Sequence, residues 1–363
     1  MKKLKAITTA LSLAVMSALT LSGCNMSFNI GDESFNFGST FHYEYANSEK
    51  YTAGDIETAE DIDKLNIDYC SGYLNITGSD TDKVTVTETS NVSLEDDYKV
   101  HTWVDNGVLY VRFCASKNGL DFNNIQKNLE ITLPGDKTIE DLKIEMTSGD
   151  VKCNNMTFKD IDSASSSGNQ NFDCEADNVK VDSTSGSLAL NMNGNCNSVN
   201  ADATSGDLFI DLKGNCSTLS VNTTSGDVSL EQTGDADSVS IHSTSGNIST
   251  NVGNVAKMDI STTSGGIGVN GKYIKDIATD CTNGNCLLVF EQVPDNTKIN
   301  ATSGSISVKI PKDAGITLNV DTTSGDFNYD FSFSKQGDTY VAGDGTAHME
   351  ISATSGDVNL SMI

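Results

Sequence analysis

The chain has few basic residues, few aromatic residues and almost no proline. Its 363 residues include 23 Lys and Arg against 50 Asp and Glu, which gives a formal net charge of −27. Arg112 is the sole arginine, and no cluster of Lys or Arg follows Lys5. This balance disfavours nucleic acid and bare anionic surfaces as partners. It also disfavours enzymes that cleave uronate polymers, because their grooves need basic side chains to neutralise the substrate.

Long runs with helical spacing are missing, and beyond the N-terminus no segment approaches the length of a membrane span. The spacings of the nine cysteines resemble neither a zinc ribbon nor a redox Cys-x-x-Cys. The four histidines are scattered: His42, His101, His242 and His348. We therefore expect no metal site and no cofactor.

The N-terminus has the features of an export signal. Three lysines precede an uncharged stretch, 6–20, that is too short and too rich in Ser and Thr for a good membrane span. The stretch ends in Leu21-Ser22-Gly23-Cys24, which resembles the lipobox of bacterial lipoproteins. The resemblance implies cleavage before Cys24 and lipidation of it, so that acyl chains tether the protein to a membrane. An ordinary signal peptide with an incidental cysteine is the alternative.

A short repeat dominates the rest of the chain. The tetrapeptide Thr-Ser-Gly-Asp, or a close variant, recurs about every 20 residues, which marks a repeat architecture. The variants are Ser166–Asn169 and Thr282–Asn285. The full triads end at Gly149, Gly186, Gly206, Gly226, Gly246, Gly265, Gly304, Gly325 and Gly356.

Each repeat unit contains two alternating segments. In the unit 207–226, apolar and polar residues alternate over 208–212 and again over 219–223, with turns at 214–217 and 225–226. Units stacked about 4.8 Å apart would pair each strand with its equivalent above and below. The sequence therefore predicts an all-β fold, a two-sheet parallel β-solenoid with rungs of about 20 residues.

The repeated turn has a physical explanation at each place. Its glycine accepts the positive φ of a tight reversal, and the Asp, Asn or Ser that follows can bind backbone amides. Alternation predicts that the turn Ser points inward and the Thr outward. Because a buried hydroxyl without a partner costs about 1–3 kcal/mol, we expect the Ser column to form a hydrogen-bonded ladder.

The same column is a weak candidate for chemistry. No histidine stacks in it to act as a general base, so nucleophilic catalysis is disfavoured. Calcium would need several converging carboxylates, and only Asp207 and Asp227 are adjacent in the column. We interpret the column as structural, with calcium binding as the alternative.

Six cysteines fall into three pairs that the rung register brings near one another: Cys196–Cys216, Cys281–Cys286 and Cys153–Cys174. The first pair shares a place in successive rungs, the second flanks one turn, and the third is offset by two places. Stacking permits a disulfide but does not ensure its torsion. Buried thiols that pack as small apolar residues are the equal alternative.

Both ends of the repeat need caps, because terminal rungs expose unpaired strand edges. Residues 62–145 predict a partly antiparallel N-terminal cap with a hairpin turn at Asn106-Gly107. At the other end, the longer step from Gly325 to Gly356 predicts a loop or hairpin around Phe331–Gly345. We divide the chain into a lipoprotein signal peptide (1–23), a lipid-anchored flexible spacer (24–48), an N-terminal β cap (49–145) and a repeat β-solenoid (146–363).

These features resemble the putative adhesin family of bacterial surface proteins, a domain of unknown function rich in Thr-Ser-Gly-Asp repeats. The match covers about 49–363 and is carried by the repeated turns and three segments: Tyr51–Asp55, Ile67–Gly72 and Leu129–Pro134. The family often has Trp where this chain has Tyr69. The resemblance implies a cell-envelope location and an adhesive role, and lipobox-bearing members point to Gram-positive bacteria. It implies no catalytic residues.

We therefore expect a non-enzymatic lipoprotein on the outer face of the membrane that binds an extracellular glycan or protein. Binding would be spread over outward positions such as Thr204, Phe209, Thr224 and Thr244. One alternative is a structural or stress-related envelope component that acts through a protein partner. A second is a β-helical polysaccharide-active enzyme, for which Asp211 and Glu231 could form a carboxylate pair.

Overall fold

The computed structural model describes residues 27–30, 33–36 and 41–363, with side chains from residue 43 onward. The predicted signal peptide and Cys24 lie outside these residues, so both stay predictions. The only helical segments in the described part are two 3₁₀ turns, Ser48–Lys50 and Asp96–Tyr98. Neither of them has the length and apolar character that crossing a membrane requires.

The strands of the N-terminal part are β1 (Ser27–Ile30), β2 (Glu33–Asn36), β3 (Phe41–His42), β4 (Thr52–Ala53), β5 (Ile56–Thr58), β6 (Lys64–Ser79), β7 (Val84–Ser90), β8 (His101–Asp105), β9 (Val108–Arg112), β10 (Asn118–Leu120) and β11 (Lys127–Pro134). Those of the repeat are β12 (Thr138–Ser167), β13 (Gln170–Ser185), β14 (Leu188–Met192), β15 (Cys196–Ser205), β16 (Leu208–Leu212), β17 (Cys216–Ser225), β18 (Val228–Gln232), β19 (Ala236–Ser245), β20 (Ile248–Ser264), β21 (Ile267–Asn283), β22 (Cys286–Gln292), β23 (Asn296–Ser303) and β24 (Ile306–Ile310). The last strands are β25 (Ile316–Ser324), β26 (Phe327–Tyr329), β27 (Ser334–Gln336), β28 (Thr339–Ala342), β29 (Ala347–Ser355) and β30 (Val358–Met362).

The repeat stacks in register, as predicted. In the rung of β16 and β17, buried residues, most of them apolar, alternate with exposed or half-buried ones, which are polar except for Phe209. Leu208 pairs in parallel with Val228, and Leu219 pairs with Val239, so every rung sets its apolar residues over those of the next. The all-β fold with stacked parallel strands is therefore confirmed.

The two ladders of the solenoid are not separate sheets. β20 pairs with both β18 and β19, and 26 strands join into one continuous hydrogen-bonded sheet. Backbone bonds also continue through the glycine corner, where the Gly206 N–H donates to the Ser225 carbonyl at 3.1 Å. The predicted two-sheet arrangement is corrected accordingly: the ladders are two runs of one sheet that bends at its glycines.

The corner explains why glycine recurs. Gly206 has a φ of 121°, and a Cβ there would lie 2.2 Å from the Gly186 carbonyl oxygen of the neighbouring rung. The residue after each glycine links the rungs as well: Asp207 Oδ1 accepts the Asp227 N–H at 2.9 Å, and Asp227 Oδ1 accepts the Asn247 N–H at 2.7 Å. The side chains after the glycines therefore do bind backbone amides, as expected, but the amides belong to the next rung.

The inward Ser column is a wrong prediction. Ser205, Ser225 and their equivalents are exposed beside the exposed threonines, because the backbone at the corner breaks the strand alternation. The inward place belongs to the residue two positions earlier, such as Thr223 or Ser243. The hydroxyl oxygens of both are buried without a hydrogen-bond partner.

The stacking order departs from chain order near the C-terminus. β29 pairs with β23 on one side and with β25 on the other, so Gly356 lies between Gly304 and Gly325. The insertion expected around Phe331–Gly345 is a hairpin of β27 and β28, and β28 lies antiparallel on β25.

The N-terminal strands form a partly antiparallel cap. β6 pairs in parallel with β12 on one side and with β9 and β11 on the other. β8 and β7 then continue antiparallel from β9 and β11, and the β8–β9 hairpin turns at Asn106-Gly107, as predicted. The predicted cap boundary at 145 falls inside β12, and the division into domains stays a prediction.

Candidate binding groove

A column of exposed threonines runs along the repeat just before the glycine corner. Register pairs on both sides of each threonine, such as Ala203–Thr223 and Ser205–Ser225, set one threonine over the next. Each threonine ends the outward alternation of its strand, so its side chain is exposed to solvent. The column on the five central rungs is Thr184, Thr204, Thr224, Thr244 and Thr263.

A second column lies two residues earlier on the same outward face. Its members are in direct register from β13 to β20. They carry carboxylate, amide, imidazole and hydroxyl groups: Asp182, Asp202, Asn222, His242 and Ser261. The amide of Asn222 donates to Asp202 Oδ1 at 2.8 Å, and Asn200 donates to its other oxygen at 3.0 Å. These bonds fix the orientation of the Asp202 carboxylate.

The two columns line a groove of about 690 Å³. It crosses six rungs, a length of about 24 Å at the usual strand spacing, because Ala164–Ser166 of the preceding rung also line it. Its lining contains hydroxyl, amide, carboxylate and imidazole groups with two alanines, and no Lys, Arg or benzene ring. The groove lining therefore offers many hydrogen-bonding groups, and the nearest lysine, Lys180, pairs with Asp182 at 2.8 Å.

Sequence reasoning missed the whole second column, of which His242 has the most distinctive side chain. Its Nδ1 lies 2.7 Å from Ser261 Oγ, and its Nε2 lies 2.9 Å from Ser240 Oγ. The ring is thus fixed by two hydroxyls, with no carboxylate on either nitrogen to orient it as a catalytic base. Aligning the repeats would have placed His242 over Asn222, because the two are 20 residues apart.

The structure brings together three of the four predicted binding positions. Thr204, Thr224 and Thr244 line the groove. Phe209 does not: it lies past the corner on β16, where its side chain is 52% exposed. The predicted carboxylate pair, Asp211 and Glu231, is in register but already engaged. Lys213 binds Asp211 at 2.5 Å, and Asn251 donates to Glu231 at 2.6 Å.

The cysteines lie in the core. All eight in the described part are buried thiols. Each of the three predicted pairs has its two thiols hydrogen-bonded to each other. Burial raises the pKa of the Cys286 thiol to about 12, which makes it a poor nucleophile. Whether any pair is oxidised stays a prediction. In the same residues, no three His, Cys, Asp or Glu side chains converge as a metal site would require.

No curated protein matches the chain. Two solved structures are similar to it: a putative cell adhesion protein from Clostridium sporogenes and a putative adhesin from Bacteroides fragilis. The first is 13% identical, covers 86% of this chain and 100% of its own, and has a TM-score of 0.24. The second is 14% identical, covers 85% of this chain and 96% of its own, and has the same TM-score of 0.24. Likeness at this TM-score supports no conclusion about fold or function.

One family model matches residues 62–248 and again residues 192–361, so it covers most of the cap and nearly all of the repeat. The match confirms the predicted family of repeat domains of unknown function. The chain belongs to the Toastrack DUF4097 family.

Proposed function

We propose that the protein is a non-enzymatic, lipid-anchored surface protein that binds a neutral glycan in the groove between the threonine and Asp/Asn/His columns. The groove itself is the observation that carries this proposal. It presents two regular rows of hydrogen-bonding groups over five rungs, whose backbones are fixed by the sheet. A rigid array of this kind loses little conformational entropy when it binds an extended, hydroxyl-rich polymer.

The charge of the groove favours a neutral ligand. The carboxylate of Asp202 lies in its wall, bonded by two neutral amides, while that of Asp182 is paired with Lys180 at 2.8 Å. Because the whole chain also carries a net charge of −27, uronates and phosphate polymers would be repelled. A protein partner would be expected to place aromatic or arginine anchors in an apolar pocket, and this groove is lined by no large aliphatic side chain. Hydroxyl, amide and carboxylate groups instead match the donors and acceptors of sugar hydroxyls.

Anchoring rests on the sequence around Cys24. The lipobox-like Leu21–Cys24 and the spacer 24–48 would hold the domain on the outer face of a Gram-positive cell membrane. The test is metabolic labelling with a fatty acid. The intact protein should incorporate the label and fractionate with membranes, and Cys24→Ala should do neither. Labelling of the Cys24→Ala variant would refute the anchor.

Glycan binding is tested on an array that holds neutral, amino-sugar and uronate oligosaccharides. The full-length protein should bind neutral glycans with micromolar affinity and ignore the uronates. Replacing Thr204, Thr224 and Thr244 together with valine should weaken binding at least tenfold, because three hydroxyls leave the groove without disturbing the β-branched strand surface.

The chain provides a matched control for this variant. The exposed Thr302, Thr323 and Thr354 continue the same column beyond the groove. Their replacement by valine should leave binding unchanged. Equal losses in both triple variants, or no glycan bound by the unaltered protein, would refute the groove as a glycan site.

A structural envelope protein that acts through a protein partner is the second candidate. One observation favours it: in the described part of the chain β26 pairs only with β30, and Tyr329 at the end of β26 is 47% exposed. Recovery of a specific partner by crosslinking in cells, together with an empty glycan array, would support this candidate over the first.

A further inference from the structure

Two thiols face each other directly across adjacent rungs of the solenoid. Cys196 begins β15 and Cys216 begins β17, and the two are partners in the parallel register. Their side chains are 6% and 0% exposed, and the thiol of one hydrogen-bonds the sulfur of the other. The next rung has Ala236 at the same place, so the core there accommodates a small side chain.

The register suits a covalent link between these two residues better than between the other pairs. Neighbouring parallel strands lie about 4.8 Å apart, inside the range of Cα separations of about 4.4–6.8 Å that disulfides span. Cys153 pairs in register with Phe172 and is therefore diagonal to Cys174, at about 7–8 Å for such neighbours. Cys281 and Cys286 sit on either side of the Gly284 corner within one rung.

We propose that Cys196 and Cys216 form a disulfide that links two successive rungs in the exported protein. The thiolate of one of the two cysteines attacks the sulfur of an oxidant of the protein disulfide class, and a thiolate leaves from that oxidant. The thiolate of the other cysteine then attacks the mixed disulfide at the first cysteine's sulfur and releases the second thiolate of the oxidant. The two cysteines lose two electrons and two protons, and the oxidant becomes a dithiol.

Burial of the two side chains sets the timing of this reaction. Both sulfurs are buried in the folded stack, out of reach of a protein oxidant. The bond therefore forms while the chain folds, before the rungs close over the pair. A reductant should break it only after unfolding.

Peptide mapping tests the proposal without ambiguity. Trypsin cuts after Lys180, Lys213 and Lys257, so Cys196 and Cys216 lie on different peptides, 181–213 and 214–257, each with one cysteine. The full-length protein is made by secretion into an oxidising compartment, unfolded with an alkylating reagent present, and digested without reductant. We expect these two peptides as one cross-linked species, about 2 Da lighter than their sum because two hydrogens are lost.

The double variant Cys196→Ala and Cys216→Ala is the control, since Ala236 shows that the column accepts alanine. It should fold with unchanged circular dichroism and lack the cross-linked species. The reduced form of the unaltered protein should resist alkylation until it is unfolded. Two results would overturn the proposal: both cysteines alkylated when the secreted protein is unfolded without reductant, or either of them linked to a different cysteine.

Discussion

The cap and the repeat bury different kinds of groups. In the cap, aromatic rings enclose a charge: Lys127 Nζ lies 4.2 Å from the Phe113 ring centroid and 2.8 Å from Glu88 Oε1. The side chains of Lys127 and Glu88 are 0% and 4% exposed. The repeat buries mainly aliphatic side chains and holds its rungs together with amide and carboxylate bonds that recur at each corner. The cap thus depends on one unrepeated contact set, and the repeat on many equivalent ones.

The cap and the repeat differ because their strands have different neighbours in the sheet. A rung finds an identical neighbour above and below, so one pattern of contacts satisfies every rung. β6 meets the first rung on one side only, and two unequal strands, β9 and β11, cover its other side. Such a junction leaves backbone carbonyls that no ladder partner can reach. Lys127 Nζ serves as the hydrogen-bond donor to such carbonyls: it donates to the Tyr98 carbonyl at 2.5 Å and to the Phe113 carbonyl.

The largest loss of stability is expected in the cap. Glu88 accepts bonds from Lys127, from the Tyr69 hydroxyl at 3.0 Å and from the Val100 N–H at 2.9 Å. Glu88→Ala would leave the Lys127 ammonium buried without its counter-ion. We expect a loss of about 3–5 kcal/mol in the free energy of unfolding. Urea denaturation followed by circular dichroism measures this loss.

Two further variants sharpen the test of the buried pair. Burial lowers the pKa of Lys127, and the Glu88 carboxylate acts against that shift, so the pair depends on both members. Replacing both, as Lys127→Met with Glu88→Leu, should cost less than Glu88→Ala alone. Glu57→Ala breaks an exposed pair with Lys83, which solvent screens, and should cost far less than Glu88→Ala. A loss as small for Glu88→Ala as for Glu57→Ala would contradict the role given to the pair.

The second prediction concerns a repeat glycine. Gly226 has a φ of 135°, and a Cβ there would lie 2.0 Å from the Gly206 carbonyl oxygen. Gly226→Ala should therefore destabilise the protein by about 2–3 kcal/mol through backbone strain. Gly266→Ala is the matched control, because that glycine does not have a positive φ and its nearest neighbour would be 3.3 Å away. Equal denaturation midpoints for the two variants would argue against the corner geometry.

The repeat could be predicted from the sequence more fully than the contacts of the cap. Period and alternation predict the rung, its register and the outward threonines, because each depends on contacts that repeat every 20 residues or so. The inward Ser was wrong because positive φ at the glycine shifts the alternation, which no apolar count reveals. The Lys127–Glu88 pair and the insertion of β29 between β23 and β25 depend on single long-range contacts. The repeat period of the sequence carries no information about contacts that occur only once.

The candidate groove could be predicted from the sequence only in part. Its threonines could be predicted, since they recur with the turn, but its concavity depends on how the strands bend before the corner. His242 could have been aligned over Asn222 by counting residues, but its bonds to Ser240 and Ser261 depend on side-chain rotamers. A regular pattern therefore predicts where hydroxyls stand, and the structure is needed to see that they enclose a space.

A smaller effect is expected from the bonds between rungs. Asp227→Ala removes the acceptor of the Asn247 N–H at 2.7 Å and should cost about 1 kcal/mol. Asp237→Ala on β19 removes the same charge from an exposed strand position and should be near neutral. Comparing the two separates the hydrogen bond from the relief of charge repulsion in an acidic chain. A larger loss for Asp237→Ala in urea denaturation would contradict the assignment.

The smallest expected effect is a gain in stability. It is expected at Gly266, which interrupts the column of side chains that follow the corner glycines and accept backbone N–H groups. Asn247 Oδ1 accepts the Gly266 N–H at 2.9 Å, and Asn285 Oδ1 accepts the Ser305 N–H at 2.9 Å. Gly266 has no side chain to accept the Asn285 N–H between them. Gly266→Asn would supply that acceptor and should raise the free energy of unfolding by about 0.5–1 kcal/mol.

The alanine variant at the same position separates the two sources of that gain. Gly266→Ala adds the Cβ and restricts the unfolded chain but brings no acceptor. If the column bond carries the effect, the asparagine variant should denature at higher urea concentration than the alanine variant. Equal midpoints would mean that the corner bonds of the repeat contribute no net stability, and that the stacked apolar residues alone hold the rungs together.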